Sequence, residues 1–408
     1  MFKARFGATL FALLSIAFPL APRASTLPAA RITLGDEVFL NESWRELHGR
    51  CVGVITNQTG VTARLEPIVD AIKRNNKICI KAIYSPEHGL RGDRTAGAYV
   101  PSYTDERTGL PVYSLYGATR HPSAQMLAGV DVLLFDIQDV GDRAYTYIST
   151  MAYAMESARD SGKEIWILDR PNPIGSMVEG PVLDPRYKSF IGLYPIAMRH
   201  GMTVGELARL FNEHFGIGAR LHVISMRGYH HGMLWPDTGL QWVQSSPNIP
   251  EWDTTVVYPA SGLIDNAGIN NGTGYTKPFK YAGAFGLDGQ RLADALNARN
   301  IPGAYFRAAY WTPMSGFWKD KQLSGVELMV FGPRVFPSVR TAVEILAAVR
   351  QISPRTLAIK EKALDTDWGT DALTEGLRAG KSADSMIAGW SAGLKTFSAL
   401  RERYLLYP

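Results

Sequence analysis

From about residue 50 the chain alternates short, almost wholly apolar runs with stretches whose apolar residues recur at helical spacing. Cys51–Thr56 is a β-branched run ending at Asn57, and Leu65–Asn75 carries Leu65, Ile68, Val69 and Ile72 on one helical face. Ile78–Tyr84, Val112–Leu115, Asp131–Ile137 and Glu164–Leu168 read as further strands, and Ile148–Ser161 as a helix between the last two. Strands apolar on both faces, separated by helices, predict a parallel sheet covered on both sides. The expected fold is therefore α/β: a Rossmann-like, doubly wound domain over residues 35–250.

Thr203–Phe215 reads as another helix, with Thr203 as N-cap and Glu206 completing a capping box. A loop-rich, aromatic stretch follows from Gly228 to Trp252, and the domain boundary is placed near 245–255. The remainder, 251–408, mixes glycine-rich loops, a strand at Gly325–Val330, and helices at Val339–Gln351 and Ser382–Tyr404. It reads as a smaller α+β domain.

The first 25 residues differ from all of this. Lys3 and Arg5 precede an apolar stretch from Phe6 to about Leu20, then small residues at Ala21, Ala24 and Ser25. That is the pattern of a cleaved secretory signal peptide, shorter than a spanning helix, and it points to export to a periplasm or the medium with no stable membrane insertion afterwards. Export would place Cys51 and Cys79, the only cysteines, in oxidising surroundings. They read first as buried thiols packing as small hydrophobes, with a disulfide between neighbouring strands as the alternative.

Charge adds little. The 43 Lys+Arg against 38 Asp+Glu give a net +5, mixed along the chain, without the clustered basic face that nucleic acid would require. Residues 56–60 read TNQTG where a dinucleotide-binding domain would carry G-x-G-x-x-G, so no such cofactor is implied. There is no G-x-S-x-G elbow and no H-E-x-x-H pattern.

The polar residues that follow the strands are informative, because ligands of open parallel sheets bind at the strands' carboxyl ends. Asn57 follows the first strand, and Ser85-Pro86-Glu87-His88-Gly89-Leu90-Arg91 the second. Asp136, Gln138, Asp139, Asp142, Arg143 and Tyr145 follow the third exit, and Asp169, Arg170 and Asn172 the fourth. A carboxyl group in such a place can serve as a general acid, which singles out Glu87; a turn-capping role is the structural alternative. The three nearby aspartates would also suit a metal, but His residues at ligand spacing are missing, since His230 and His231 are adjacent; neither metal nor other cofactor is expected. In the second domain, residues 265–279 combine small residues with Asn270, Asn271 and Lys277, and aromatics are abundant nearby. Amides, carboxylates and rings together suit a sugar, although a turn-rich connection has the same composition.

At these positions the sequence resembles the exo-β-N-acetylmuramidases of the NamZ type, formerly a domain of unknown function. The resemblance rests on GVITNQTGV (53–61), YSPEHGLRG (84–92), DVLLFDIQDVGDRAYTY (131–147), LDRPNPIG (168–175), GLYPIAMRHGMTVGELA (192–208), SPNIP (246–250) and YPASGLID (258–265). It implies an active site in the cleft between two domains and release of the terminal, non-reducing N-acetylmuramic acid from peptidoglycan fragments. Carried over by residue, it implies Glu87 as catalytic acid, His88 orienting it or contacting substrate, and Asn57, Gln138, Asp139, Arg143, Tyr145, Asp169, Arg170 and Asn172 along the cleft. Asp136, Asp139 and Glu179 compete as the second carboxyl group. The lactyl carboxylate calls for a cation, with Arg91, Arg143, Arg170 and Lys277 as candidates. One loop departs: where the family carries EGTNVSEGRGT, this chain has DNAGINNGTGY (265–275), so that Asn271 replaces a Glu. That departure motivates a rival reading as a non-catalytic muropeptide-binding protein or a glycosidase of altered specificity. An esterase or amidase acting on cell-wall material is the third possibility.

Overall fold

The structure is a computed structural model that describes residues 31–408. The segment read as a signal peptide lies outside the described residues. Helix α1 (Gly35–Asn41) precedes β1 (Cys51–Thr56), and α2 (Ile68–Asn75) leads to β2 (Cys79–Ser85). The two-residue β3 (Tyr103–Thr104), β4 (Pro111–Ser114), β5 (Val132–Asp136), α3 (Tyr147–Asp160) and β6 (Glu164–Leu168) follow. A pair of short strands, β7 (Glu179–Val182) and β8 (Ala197–Arg199), leads to α4 (Val204–Glu213) and β9 (Arg220–Ile224).

Seven of these strands form one sheet in the order β3-β4-β2-β1-β5-β6-β9, parallel except for the β3–β4 pair. The chain fills one side of β1, then crosses back to fill the other, so the order reverses between β1 and β5. That is the point at which an open α/β sheet forms a crevice. One face buries Val52, Val54, Val132, Leu134 and Trp166 with Phe39 of α1 and Ile68 and Ile72 of α2. The other face buries Leu133, Phe135, Ile165 and Ile167 with residues of α3 and α4. The apolar runs are continuous because both faces of each central strand are covered.

Helix α4 begins as its sequence predicts. Thr203 accepts from the Glu206 N–H, and the Glu206 carboxylate accepts from the Thr203 N–H at 2.9 Å. Edge strands β3 and β9 and the β7–β8 pair were not anticipated; β9 reads RLHVI and stays partly exposed, so its apolar signal is diluted.

The cysteines correct the first expectation: they are not free thiols. Cys51 and Cys79 open adjacent parallel strands in direct register, Cα atoms 4.4 Å apart, and are joined as a disulfide. Two in-register neighbours fall within the span a disulfide bridges.

The second unit contains α5 (Trp252–Ser261), β10 (Tyr281–Ala284), α6 (Gly289–Asn297), β11 (Ala304–Trp311), β12 (Leu323–Val330) and α7 (Ser338–Ile352). Helices α8 (Glu361–Trp368), α9 (Ala372–Ala379), α10 (Ala383–Ala388) and α11 (Ser391–Arg401) complete it. An antiparallel sheet of three strands, β10-β12-β11, carries α6 on one face, and α7 packs against α5 and α6. The single helix expected over 382–404 is broken at Gly389-Trp390 into α10 and α11. A single hydrophobic core runs from the α3–α4 side of the large sheet into α5, α6 and α7. The tail returns to the first unit, where the Tyr407 hydroxyl donates to Asp169 at 2.6 Å and the Leu406 N–H to Glu206 at 2.8 Å.

Candidate active site

The carboxyl edge of the large sheet gathers most of the residues expected there. Glu87 stands two residues beyond β2 and is 8% exposed. Its Oε2 accepts from the Thr146 hydroxyl at 2.7 Å, at the start of α3, and its Oε1 from the Gly97 N–H at 2.8 Å. His88 follows in the left-handed region, φ 69°, succeeded by Gly89 at 77°. Left-handed backbone is uncommon outside glycine, and here it turns the chain sharply just after the carboxyl-bearing residue. The His88 ring is tied to the Arg94 carbonyl at 2.8 Å through Nδ1.

Across the β1–β5 reversal a chain of hydrogen bonds joins the loops. Asn57 Oδ1 accepts from both the N–H and the hydroxyl of Thr59; the Thr59 hydroxyl oxygen in turn accepts from the Gln138 N–H at 2.9 Å. The Gln138 amide donates to the carbonyls of Asp139 and Pro171, both at 2.8 Å. Asp139 Oδ2 accepts from the Gly141 N–H, while Oδ1 is buried without a partner among the described residues. Burial raises the Asp139 carboxyl to about 7, and Asp142, three residues on, to about 6.

Three tyrosines stand beside these carboxyls. Tyr145 packs edge-on against Tyr147 at 4.9 Å and Tyr258 of α5 at 5.9 Å, so the second unit contributes a ring to the cluster. Burial drives all three hydroxyls above their ordinary range; both Glu87 and Asp139 add to the effect at Tyr147. Ser245 ties this group together: its Oγ accepts from Tyr145 at 2.9 Å, and its carbonyl from Tyr147 at 2.6 Å and Gln58 at 3.1 Å.

Other expected residues are engaged with the protein itself. Arg170 lies between Asp136 at 2.6 Å and Asp36 at 2.9 Å and also donates to the Val61 carbonyl. Burial opposes its charge, but Asp136 and Asp36 hold its pKa above the ordinary value. Asp169 accepts from Gly205, Thr203, Tyr407 and the Arg170 N–H, and burial raises it to about 7. Asn172 bridges the Met202 carbonyl and the Ile174 N–H. Its Oδ1 would lie 2.4 Å from a Cβ at position 141, where Gly141 has φ 88°. Arg143 donates to the carbonyls of Pro181, Ile196 and Trp368, a clamp from the first unit onto α8; burial lowers it to about 10. Glu179 accepts from the Arg340 N–H at the start of α7.

In the second unit, Asn270 accepts from Gly272 and Trp311 and donates to the carbonyls of Thr273 and Phe317. Asn271 accepts from the Thr273 N–H and so shapes its own loop, whereas Asn270 also ties that loop to Trp311 of β11 and to Phe317. Lys277 pairs with Glu327 at 2.6 Å on the open face of the small sheet. Arg91 pairs with Asp105 at 2.5 Å on the α2 side of the large sheet. The three aspartates weighed as metal ligands diverge: Asp136 to Arg170, Asp139 to Gly141 and Asp142 to Ala144. Among the described residues no group of three or more His, Cys, Asp or Glu is placed to hold a metal ion.

Sequence reasoning did not single out Thr146, Thr59, Gly97 or Ser245. Thr146 sat in plain view at the start of a predicted helix. Ser245 is far in sequence from its tyrosine partners, and nothing local marks it.

The comparisons with known proteins agree along the whole described chain. Residues 52–253 match the family description "Exo-beta-N-acetylmuramidase NamZ, N-terminal", and residues 256–407 match its C-terminal counterpart. The peptidoglycan beta-N-acetylmuramidase NamZ of Bacillus subtilis (strain 168) is 42% identical over 384 residues, covering 94% of this chain and 93% of that protein. A crystal structure of a DUF1343 family protein from Bacteroides fragilis superposes with a TM-score of 0.87 at 36% identity, over 93% of this chain and 100% of that one. A second from the same organism gives 0.72 at 28% identity, over 92% of this chain and 99% of the other. With a carboxyl-rich crevice on a Rossmann-like sheet, the protein is an enzyme of the glycosidase class. It belongs to the NamZ family of exo-β-N-acetylmuramidases.

Proposed function

We propose that the protein removes the terminal, non-reducing N-acetylmuramic acid from peptidoglycan fragments, with Glu87 as the general acid. The observation that carries this reading is the setting of Glu87: buried at the carboxyl end of β2, beside the strand-order reversal, with Thr146 and Gly97 fixing one oxygen each. In this scheme Glu87 gives its proton to the glycosidic oxygen as the C–O bond breaks, and water gives its hydroxyl to the anomeric carbon and its proton to the second carboxyl group, from which solvent returns it to Glu87. Asp139 is the second carboxyl, and the rings of Tyr145, Tyr147 and Tyr258 exclude water around the pair.

The test is Glu87→Gln assayed on two muramic acid β-glycosides, one with a poor alkyl leaving group and one with an activated aryl group. Loss of the proton donor should slow the alkyl substrate by roughly a hundredfold or more, and the aryl substrate much less. Parental rates on both would end the assignment.

One observation favours exchanged roles. Asp139 keeps its proton up to about 7 and has a free buried oxygen, the condition of a donor at neutral pH. If Asp139→Asn, rather than Glu87→Gln, shows the leaving-group dependence, Asp139 is the acid.

The same reading places the enzyme outside the cytoplasm, in a periplasm or secreted, where its substrate lies. The disulfide supports this location, as does the leader-like composition of residues 1–25. Cell fractionation with an antibody to the protein would test it, and a cytoplasmic pool of full-length chain would count against it.

A further inference from the structure

A separate hollow of about 310 Å³ opens on the α2 side of the sheet's carboxyl edge, walled by Ile68, Val69, Ile83 and Leu90. Glu87 lies on the same loop as Leu90 and Arg91, with a tight turn between them in which the Gly89 N–H donates to the Pro86 carbonyl. Its polar lining differs in kind: hydroxyls of Thr56 and Thr108, amides of Asn57 and Gln58, and two arginines beside the Asp105 carboxylate. Asn57 is 4% exposed and lines it; its Oδ1 is held by Thr59, but its Nδ2 has no partner among the described residues. A buried amide donor left unpaired costs stability unless a ligand accepts from it. Two guanidinium groups also line the hollow: Arg91, 48% exposed and paired with Asp105, and Arg107, 54% exposed and paired with Asp70. Each carries five N–H donors and uses one on its aspartate, so both retain donors for an incoming carboxylate. Asp105 is itself buried and also accepts from Thr108, but both guanidinium groups are half-exposed and can be shared with an incoming carboxylate.

The hollow thus offers one deep donor, an apolar wall and two cations at its rim, in a volume suited to a single substituted sugar. Of the cations considered for the lactyl carboxylate, Arg143 and Arg170 are buried among protein acceptors, and Lys277 lies by the small sheet and does not line this hollow. We propose that this hollow reads the lactyl carboxylate of N-acetylmuramic acid, with Arg91 and Arg107 as the residues that discriminate muramic acid from glucosamine. Asn57 donates to an oxygen of the same sugar, and the lactyl methyl lies on Val69 and Leu90. The assignment rests on the muramidase reading above and adds Arg107, which no motif marked.

The test compares chromogenic β-glycosides of N-acetylmuramic acid and N-acetylglucosamine, which differ only in the lactyl group. Arg91→Gln and Arg107→Gln should each lower kcat/KM for the muramic substrate about tenfold, and the double variant roughly a hundredfold, with the glucosamine substrate within about twofold of parental. Equal losses on both substrates, or none on the muramic one, would overturn the proposal. Should the parent cleave neither glycoside, the muramidase reading fails, and titration calorimetry with free N-acetylmuramic acid decides the hollow by itself. Binding that falls at least tenfold in the double variant, and also in Val69→Trp, which narrows the hollow while keeping both arginines in the sequence, supports it. No binding, or binding unchanged in these variants, rejects it.

Discussion

The Thr146 hydroxyl donates to Glu87 Oε2 at 2.7 Å, so the start of α3 holds the carboxyl group that follows β2. Two elements far apart in sequence thereby set one proton-bearing group. Thr146→Val keeps the shape and removes that hydrogen bond. Its kcat should fall by about tenfold with KM little changed, and the alkaline limb of the pH–rate profile, where a general acid loses its proton, should move, while Thr146→Ser restores both. An unchanged pH profile would reduce Thr146 to a packing residue.

Asp139 links stability to pH with a definite sign. Its folded pKa is about 7 against an ordinary 3.8, and burial is the main cause. Between those values the unfolded chain has released the proton and the folded chain retains it, so stability falls as pH rises from about 4 to about 7 and then levels. Asp139→Asn removes this contribution. The variant should gain on the parent across that window, by on the order of a few kcal/mol at its upper end, and by nothing further above it. Denaturant unfolding at pH 4, 5.5, 7 and 8.5 would show the trend; a parallel pair of curves would contradict it.

Arg170 is held between two buried carboxylates, Asp36 and Asp136. Arg170→Met would leave both without their cation, which costs about 3–5 kcal/mol for a buried pair. The folded fraction should keep its KM, because the side chain faces protein acceptors. A stable variant with a raised KM would instead make Arg170 a substrate contact.

The Cys51–Cys79 bridge sits at the amino ends of β1 and β2, whereas Asn57 and Glu87 follow their carboxyl ends. With six residues in β1, those ends are roughly 17 Å apart. Cys51→Ser with Cys79→Ser should cost about 3–4 kcal/mol for a separation of 28 residues, and leave kcat/KM at low temperature unaltered. Activity lost before stability would tie the bridge to the site.

The central strands were readable because burial on both faces leaves an uninterrupted apolar signature, as in Val132–Asp136. Strand β9 was not, since an edge with exposed Arg220 and His222 lacks that signature. Glu87 and Asp139 could be found as polar residues directly following such strands. The tasks of Arg143 and Arg170 could not, because their partners are remote: Trp368 lies 225 residues from Arg143, and Asp36 lies 134 from Arg170. A cation after a strand looks the same whether it awaits a ligand or neutralises a buried acid. The disulfide was ambiguous for a related reason: two cysteines opening two strands bond only if those strands are adjacent and in register, and pairing order is not written in either strand.

The return of Leu406 and Tyr407 to Glu206 and Asp169 has a bearing on how this architecture can be cut and recombined. A chimera joined between residues 250 and 256 would import a foreign tail against α4, and Asp169 would keep its phenol donor only where that tail carries a tyrosine in the place of Tyr407. Where it does not, grafts between relatives need three segments rather than two, with 402–408 travelling alongside the large sheet.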